Sequence, residues 1–244
     1  VVSWREGRIE SNSNPERISG KNAGMAVRFK TEKDEKVMLK VAISYVSVEQ
    51  ARKNMLTELS GWDFEQVKQS SFCEWNDWLG RIEVEGGSRE QQIKLYTDLW
   101  HALLGRHVVS DADGHYMDMT SDFPRIRQIP LGEDGKPLYN HHNFDAWWGS
   151  HWSLNILWSM AYPEVMDNFC NTMIDMYQNG GLIPRGPSGG NYTYVMIGDP
   201  AVSFFASAYN KGIRNYDAEL AYEGLRKNAF VGGIRDHAGY EHSK

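Results

Sequence analysis

The hydrophobic period changes at Ser47, and that change limits the chain to a fold that is helical over most of its length. Before it, "MAVRFK" (25–30) and "KVMLKVAISYV" (36–46) are β-branched and alternate apolar with polar residues. This pattern predicts two strands, with "TEKDEK" as the charged turn of a hairpin. The polar stretch ahead of them, with "SNSNPERISGKNAG", reads as loop. After Ser47 the apolar residues recur at helical spacing. Ser47 with Gln50, and Ser88 with Gln91, form capping-box patterns at two helix starts. Phe64, Val67, Phe72, Trp75, Trp78 and Leu79 mark one helical face, and Ile93, Tyr96, Leu99, Trp100, Leu103 and Leu104 another.

Further on, "AWWGSHWSLNILWSMA" (146–161) reads as a single helix. The next helix opens at Pro163 and closes at Gly180. Asp199 as N-cap with Pro200 at N1, and Asp217 as N-cap, start the last two. Residues 105–140 read as irregular and turn-rich. Paired helices joined by alternating short and long connections suit a bundle, a solenoid or a closed α/α barrel. The lack of a fixed repeat counts against a solenoid. In a barrel the long loops gather at one end. One of them, 180–198, is rich in Gly and Pro but carries Arg185, Asn191, Tyr192 and Tyr194, and Asp199 follows it. Its aromatics and low charge point to function rather than disorder.

A formal net charge of −6 argues against a nucleic-acid surface. No apolar run is long enough to span a bilayer. The aromatic load of 9 Trp and 12 Tyr suits a site for polar rings, because a pyranose presents an apolar C–H face to an aromatic plate. A core built from large side chains accounts for the same residues. Cys73 and Cys170 form no metal pattern, and nothing requires them to pair.

In "YNHHNFDAWWGSHW" (139–152), His141, His142, Asp145 and His151 have no zinc spacing. On a helix starting near Asp145, Trp148 and His151 are neighbours, an aromatic plate beside a polar group. Arg185 offers a planar fork of donors, and Asp199 a carboxylate that accepts from two hydroxyls. Asp111, Asp113 and Gly114 resemble the start of a calcium loop, but the Glu that would complete it is missing. "NYT" at Asn191 fits a glycosylation sequon. No nucleophile elbow, phosphate loop or dinucleotide fingerprint occurs.

Five phrases in order, "KVAISYVSVEQARKNML", "WNDWLGRIEVEGG", "LYTDLWHALLGRHVVSDADGHY", "NGGLIPRGP" and "VMIGDPAVSFFASAYNKGIRNYDAELAYEGLRKNAF", resemble the exo-acting α-mannosidases of glycoside hydrolase family 92. The resemblance runs from about residue 36 to 235. It implies the end of a β-sandwich over 1–46, a helical linker over 47–80, and the first part of an (α/α)6 barrel over 81–244. It also implies release of mannose from glycans, an inverting mechanism, calcium as cofactor, and secretion or a periplasmic location. An inverting mechanism needs a carboxylic acid and a carboxylate about 6.5–9.5 Å apart. Motifs for the acid, the base and most calcium ligands are expected beyond this chain, which reads as an inactive fragment with no acid or base of its own.

The residues expected at the sugar are Asp145, Trp147, Trp148, His151, Arg185, Asn191 and Asp199. Arg185→Ala is expected to weaken substrate handling without unfolding the protein. One departure bears on specificity: where family members carry Trp-Asp and then Arg, this chain has Trp147-Trp148 followed by His151. An exo-glycosidase of other specificity, a non-catalytic sugar-binding toroid and a helical scaffold without ligand are the alternatives.

Overall fold

The computed structural model describes residues 2–10, 18–144, 147–194 and 198–237. It parts into two units, Val1–Leu39 and Lys40–Lys244. In the first, β1 (Val2–Arg5) lies between β2 (Arg8–Glu10) and β3 (Gly24–Ala26), all antiparallel, with Trp4 opposite both Ile9 and Gly24. Gly24 has a steric reason, since a Cβ there would enter the Trp4 ring.

The strands expected over 25–30 and 36–46 do not form beyond Ala26. Alternation supplies a face, but a strand also needs a neighbour to take its hydrogen bonds. Among the described residues none lines up beside 36–46, and Leu39, Val41 and Ile43 stand exposed. Within the second unit this extended segment is tied instead to α1 (Val48–Glu58) and the residue after it. Asn54 Nδ2 donates to the Ile43 carbonyl, and Lys40 Nζ to that of Leu59.

The second unit is mainly helical. After α1 come α2 (Phe64–Leu79) and α3 (Arg89–Leu104), which starts in the full reciprocal box between Ser88 and Gln91. Residues 105–143 hold more order than their turn-rich composition suggested. Strand β4 (His107–Val108) pairs with β7 (His142–Asn143). Between them β5 (His115–Asp118) and β6 (Arg125–Gln128) form an antiparallel pair. The Asp111–Gly114 turn is fully engaged by protein donors. Asp111 accepts from Ser44 and Asn54, and Asp113 from Gln50 and Lys53.

The single helix expected over 146–161 is two, α4 (Trp147–Ser150) and α5 (Leu154–Ala161). Ser150 Oγ reaches both the Trp147 carbonyl and the Asn155 side chain, and so competes with helical continuation just after Gly149. Helix α6 (Pro163–Gly180) has Pro at its first position and closes on Gly181, whose φ of 88° suits glycine. Then follow α7 (Ala201–Asn210), α8 (Ala218–Asn228), capped by Asp217, and α9 (Ile234–His237).

The core lies where α6 meets α5, α7 and α8. Trp147 sits edge-on to Phe169 at 4.6 Å and against Phe204 at 4.1 Å, and Trp158 stacks on Phe169 at 5.6 Å. The indole of Trp158 donates to the Ala102 carbonyl and so brings α3 to this cluster. Helix α2 docks through Trp78, which stacks on Tyr162 and lies between the guanidiniums of Arg81 and Arg106 at 4.3 and 4.0 Å. Both cysteines are free, Cys73 exposed and Cys170 buried. No described helix is long and apolar enough to cross a membrane.

Two consequences can be measured. Phe169→Ala removes the ring against which Trp147 and Trp158 pack. It should cost about 3–5 kcal/mol in urea unfolding. His142 is buried against Phe169, and neither of its ring nitrogens has a hydrogen-bond partner. Burial pulls its pKa down to about 4, against the opposite pull of the nearby Arg106 and His107 backbone. A depressed imidazole pKa gives stability that is complete above the unfolded value of about 6.5 and is lost as pH falls towards the folded one. His142→Phe should therefore flatten the loss of stability between about pH 6.5 and 4, by up to about 1.4 kcal/mol per pH unit. An acid limb as steep as that of the parent would contradict this assignment.

Candidate functional site

Two hollows differ in chemistry. The larger, about 720 Å³ between α7 and α8, is lined chiefly by apolar and aromatic side chains such as Phe205, Tyr209, Tyr222 and Leu225. The smaller, about 220 Å³, is lined by Trp148, His151, Gly198, Asp199, Pro200 and Ser203. It combines an aromatic plate, an imidazole, a carboxylate and a hydroxyl, which is the mixture a hydroxyl-rich ligand requires.

The local fold explains why these side chains converge. Trp147 is fully buried in the aromatic core, so the next residue of the single-turn α4 points away from it. Trp148 is accordingly 47% exposed at the hollow's wall. His151 follows one turn later, its Nδ1 3.1 Å from the Trp148 carbonyl oxygen and its ring against Trp152. The opposite wall is the start of α7. Pro200, with helical backbone angles, takes the N-cap position expected for Asp199.

The Asp199 carboxylate sits just ahead of this helix start. It is 8% exposed, and neither oxygen has a hydrogen-bond partner. Burial raises its pKa above the ordinary carboxylate value, while Asn228, Arg235, Arg185 and the Ala201 amide of the first turn of α7 act to lower it. The Asn228 amide nitrogen gives one of its two protons to the Ile183 carbonyl and keeps the other. A buried carboxylate without well-formed hydrogen bonds is costly, and a ligand bringing hydroxyl groups would satisfy it.

Arg185 stands behind this wall, 1% exposed. Its Nε donates to the Gly198 carbonyl at 2.8 Å, and one Nη to that of Ile234 at 2.7 Å. It thus braces the residue next to Asp199. Because it holds two carbonyls in a buried place, Arg185→Ala would damage the fold, contrary to the expectation from sequence that it leaves stability intact. Asn191 is exposed at the loop tip, where its side chain accepts from the Tyr192 amide, and it does not line the hollow. Asp145 lies outside the described residues. The structure thus brings Trp148, His151 and Asp199 together, with Trp147 and Arg185 as their buried supports.

Sequence reasoning missed Ser203, and it named Tyr192 in the loop without its bracing role. Ser203 joins the hollow as the residue one turn after Asp199, a relation that helical spacing alone could have supplied. Tyr192 locks the 182–194 loop onto α6: its hydroxyl accepts from the Leu182 amide and donates to the Met176 carbonyl. The hydroxyl lies against Gly180, where a Cβ would strike it, and this explains Gly180, while Gly181 answers to its positive φ. No cluster of three or more His, Cys, Asp or Glu able to hold a metal occurs among the described residues. Asp199 alone does not amount to a calcium cage.

The family model for the glycosyl hydrolase family 92 catalytic domain matches residues 50–244. Among solved structures, the chain is similar to the family GH92 alpha-mannosidase BT3965 from Bacteroides thetaiotaomicron. The identity is 26% and the TM-score 0.67, over 75% of this chain and 23% of that one. The same enzyme in complex with mannoimidazole gives 25% and 0.66 over the same shares. The family GH92 inverting mannosidase BT2199 from Bacteroides thetaiotaomicron VPI-5482 is alike in fold, at 24% identity and a TM-score of 0.67, over 82% of this chain and 27% of that one. The chain thus spans about a quarter of the length of these relatives. No curated protein matches it.

Tyr192→Phe deletes both hydrogen bonds that hold the loop. The expected cost is about 1–2 kcal/mol. Limited proteolysis should show faster cleavage between residues 182 and 194, while the rest of the chain stays protected. Unchanged cleavage there would show that the loop is held by other means.

Proposed function

The chain belongs to glycosyl hydrolase family 92, and from that premise we propose that it forms one wall of the sugar site of an exo-acting α-mannosidase. In this reading the terminal mannose enters the hollow between α4 and α7. Its apolar face stacks on Trp148, and Asp199 accepts hydrogen bonds from its hydroxyls. His151 and Ser203 contact the ring edge, Trp147 and Arg185 keep the two walls in place, and Asn191 meets the glycan from the loop tip. Asp145, which lies outside the described residues, stays in the proposed set on the sequence expectation alone. The observation that carries the reading is the pair of unpartnered, buried Asp199 oxygens beside an exposed indole.

The finer architecture is part of the proposal. Residues 1–46 end a β-sandwich, 47–80 are a helical linker, and 81–244 begin an (α/α)6 barrel whose long connections open on the sugar. Inversion requires two carboxyl groups with a water between them. Asp199 is the only carboxylate lining the hollow among the described residues, so the acid and base are assigned to other parts of the complete enzyme. Calcium assistance is likewise a property of the complete enzyme, because the described residues build no cage for it. The recognition of the sugar by this wall does not depend on it. A glycan substrate, no nucleic-acid partner, and a secreted or periplasmic location complete the proposal.

One observation favours a second reading. A hollow with a single carboxylate and an aromatic plate suits binding without hydrolysis, as in a carbohydrate-binding toroid. The complete enzyme separates the two when offered a synthetic α-mannoside with and without a chelator. The mannosidase reading expects mannose release that the chelator lowers, and binding without turnover would support the toroid. Asp199→Asn and Trp148→Ala should each lower kcat/KM by at least about tenfold, which corresponds to about 1.4 kcal/mol of transition-state stabilisation. If both variants keep full kcat/KM, the hollow is not the sugar site.

A further inference from the structure

A second buried polar cluster lies beneath the segment that leads into α4. Three parts of the chain meet there: β5, α6 and residues 139–144. The Tyr139 hydroxyl lies 2.9 and 2.8 Å from the two oxygens of Asp175 on α6. His141, 1% exposed, stacks on Tyr116 with centroids 4.1 Å apart, and its Nε2 is 3.9 Å from Asp175 Oδ2. Asn179, one turn beyond Asp175, donates to the Tyr116 hydroxyl. Asp118 on β5 is bound by Thr120 and Arg125, with Arg127 at 3.6 Å.

From this cluster a series of contacts leads to the wall of the hollow. The His142 amide donates to Thr172 on α6, and the Phe144 amide to the Pro187 carbonyl. The Phe144 ring then packs on Trp147 at 4.9 Å, and Trp148 follows. We infer that Asp175 is a positioning residue: gripping Tyr139 and facing His141, it sets where segment 139–144 delivers Trp148 and His151. This deepens the proposed function, but the test reads the wall itself, so it can fail while the sugar reading stands.

The grip depends on charge. As a carboxylate, Asp175 offers both oxygens to Tyr139 and lies opposite a neutral imidazole. Once protonated, one oxygen becomes a donor and the arrangement must change. The groups facing Asp175 are Tyr139 and His141 from the segment, and Tyr116 and Asp118 from β5. Burial is the largest influence and raises Asp175 to about 6, the Tyr139 hydrogen bond opposing it and Asp118 adding to it. Burial keeps His141 neutral, lowering its pKa to about 3. Asp175 is therefore the member of the cluster that changes charge near pH 6.

The experiment follows Trp148 by fluorine NMR in the full chain labelled with fluorotryptophan, its signal assigned by Trp148→Phe. Because the His151 imidazole stands beside Trp148, the titration is made in a His151→Gln background. The Trp148 signal should move with a midpoint near pH 6, and Asp175→Asn should abolish that movement. Tyr139→Phe, which deletes a single oxygen, should displace the signal at neutral pH. A Trp148 signal that does not titrate near pH 6, or that titrates identically in Asp175→Asn, overturns the inference. The first of these outcomes needs no change within the cluster, only the His151→Gln background.

Discussion

The burial of Trp147 is the constraint on which the rest of this structure depends. Its ring fills the space between Phe169 of α6 and Phe204 of α7, and it is fully removed from solvent. A side chain of that size anchors a single helical turn more firmly than the turn's own hydrogen bonds could. With one residue committed inward, successive side chains about 100° apart leave Trp148 facing out. The core thus aims the site's aromatic plate, and no separate device is needed to orient it.

The same principle explains what could be read in the sequence. Helices α1, α3 and α8 begin at their predicted caps because a cap is a local bond between residues three apart, fully encoded in the chain. The continuous helix expected over 146–161 failed because Ser150 bonds the Trp147 carbonyl and Asn155, a competition that apolar spacing does not register. Strand 36–46 failed for the opposite reason: its pattern is right, but pairing is a property of two segments and no partner lies beside it among the described residues. The β5–β6 pair escaped notice because its turn-rich flanks concealed two short strands.

Of the candidate site, residue types were legible and depths were not. Trp147 and Trp148 are adjacent and chemically identical, and only the packing of α6 and α7 makes one core and the other wall. Arg185 looked like a ligand-facing fork. Its place behind Gly198 follows from carbonyls at Gly198 and Ile234 that are far from it in sequence. Tyr139 and Asp175 are 36 residues apart, and nothing in either neighbourhood announces the pair.

Asp199 shows how a plausible local role can hide another. An Asp ahead of Pro at a helix start is ordinarily a cap, bonded to the amides of the first turn. Pro200 already has helical backbone angles, so the turn begins around it and has no proline amide to offer. The carboxylate is left with no well-formed hydrogen bond, the Ala201 amide of the first turn being near it, and burial limits what water can supply. The resemblance to family 92 places a carboxylate one residue after Trp147, where this chain has Trp148. Under the proposed function, Asp199 supplies the missing acceptor from the opposite wall of the same hollow, with Arg185 behind it fixing Gly198. An aromatic plate on α4 and a carboxylate on α7 would then divide between two helices the work that the resemblance assigns to one.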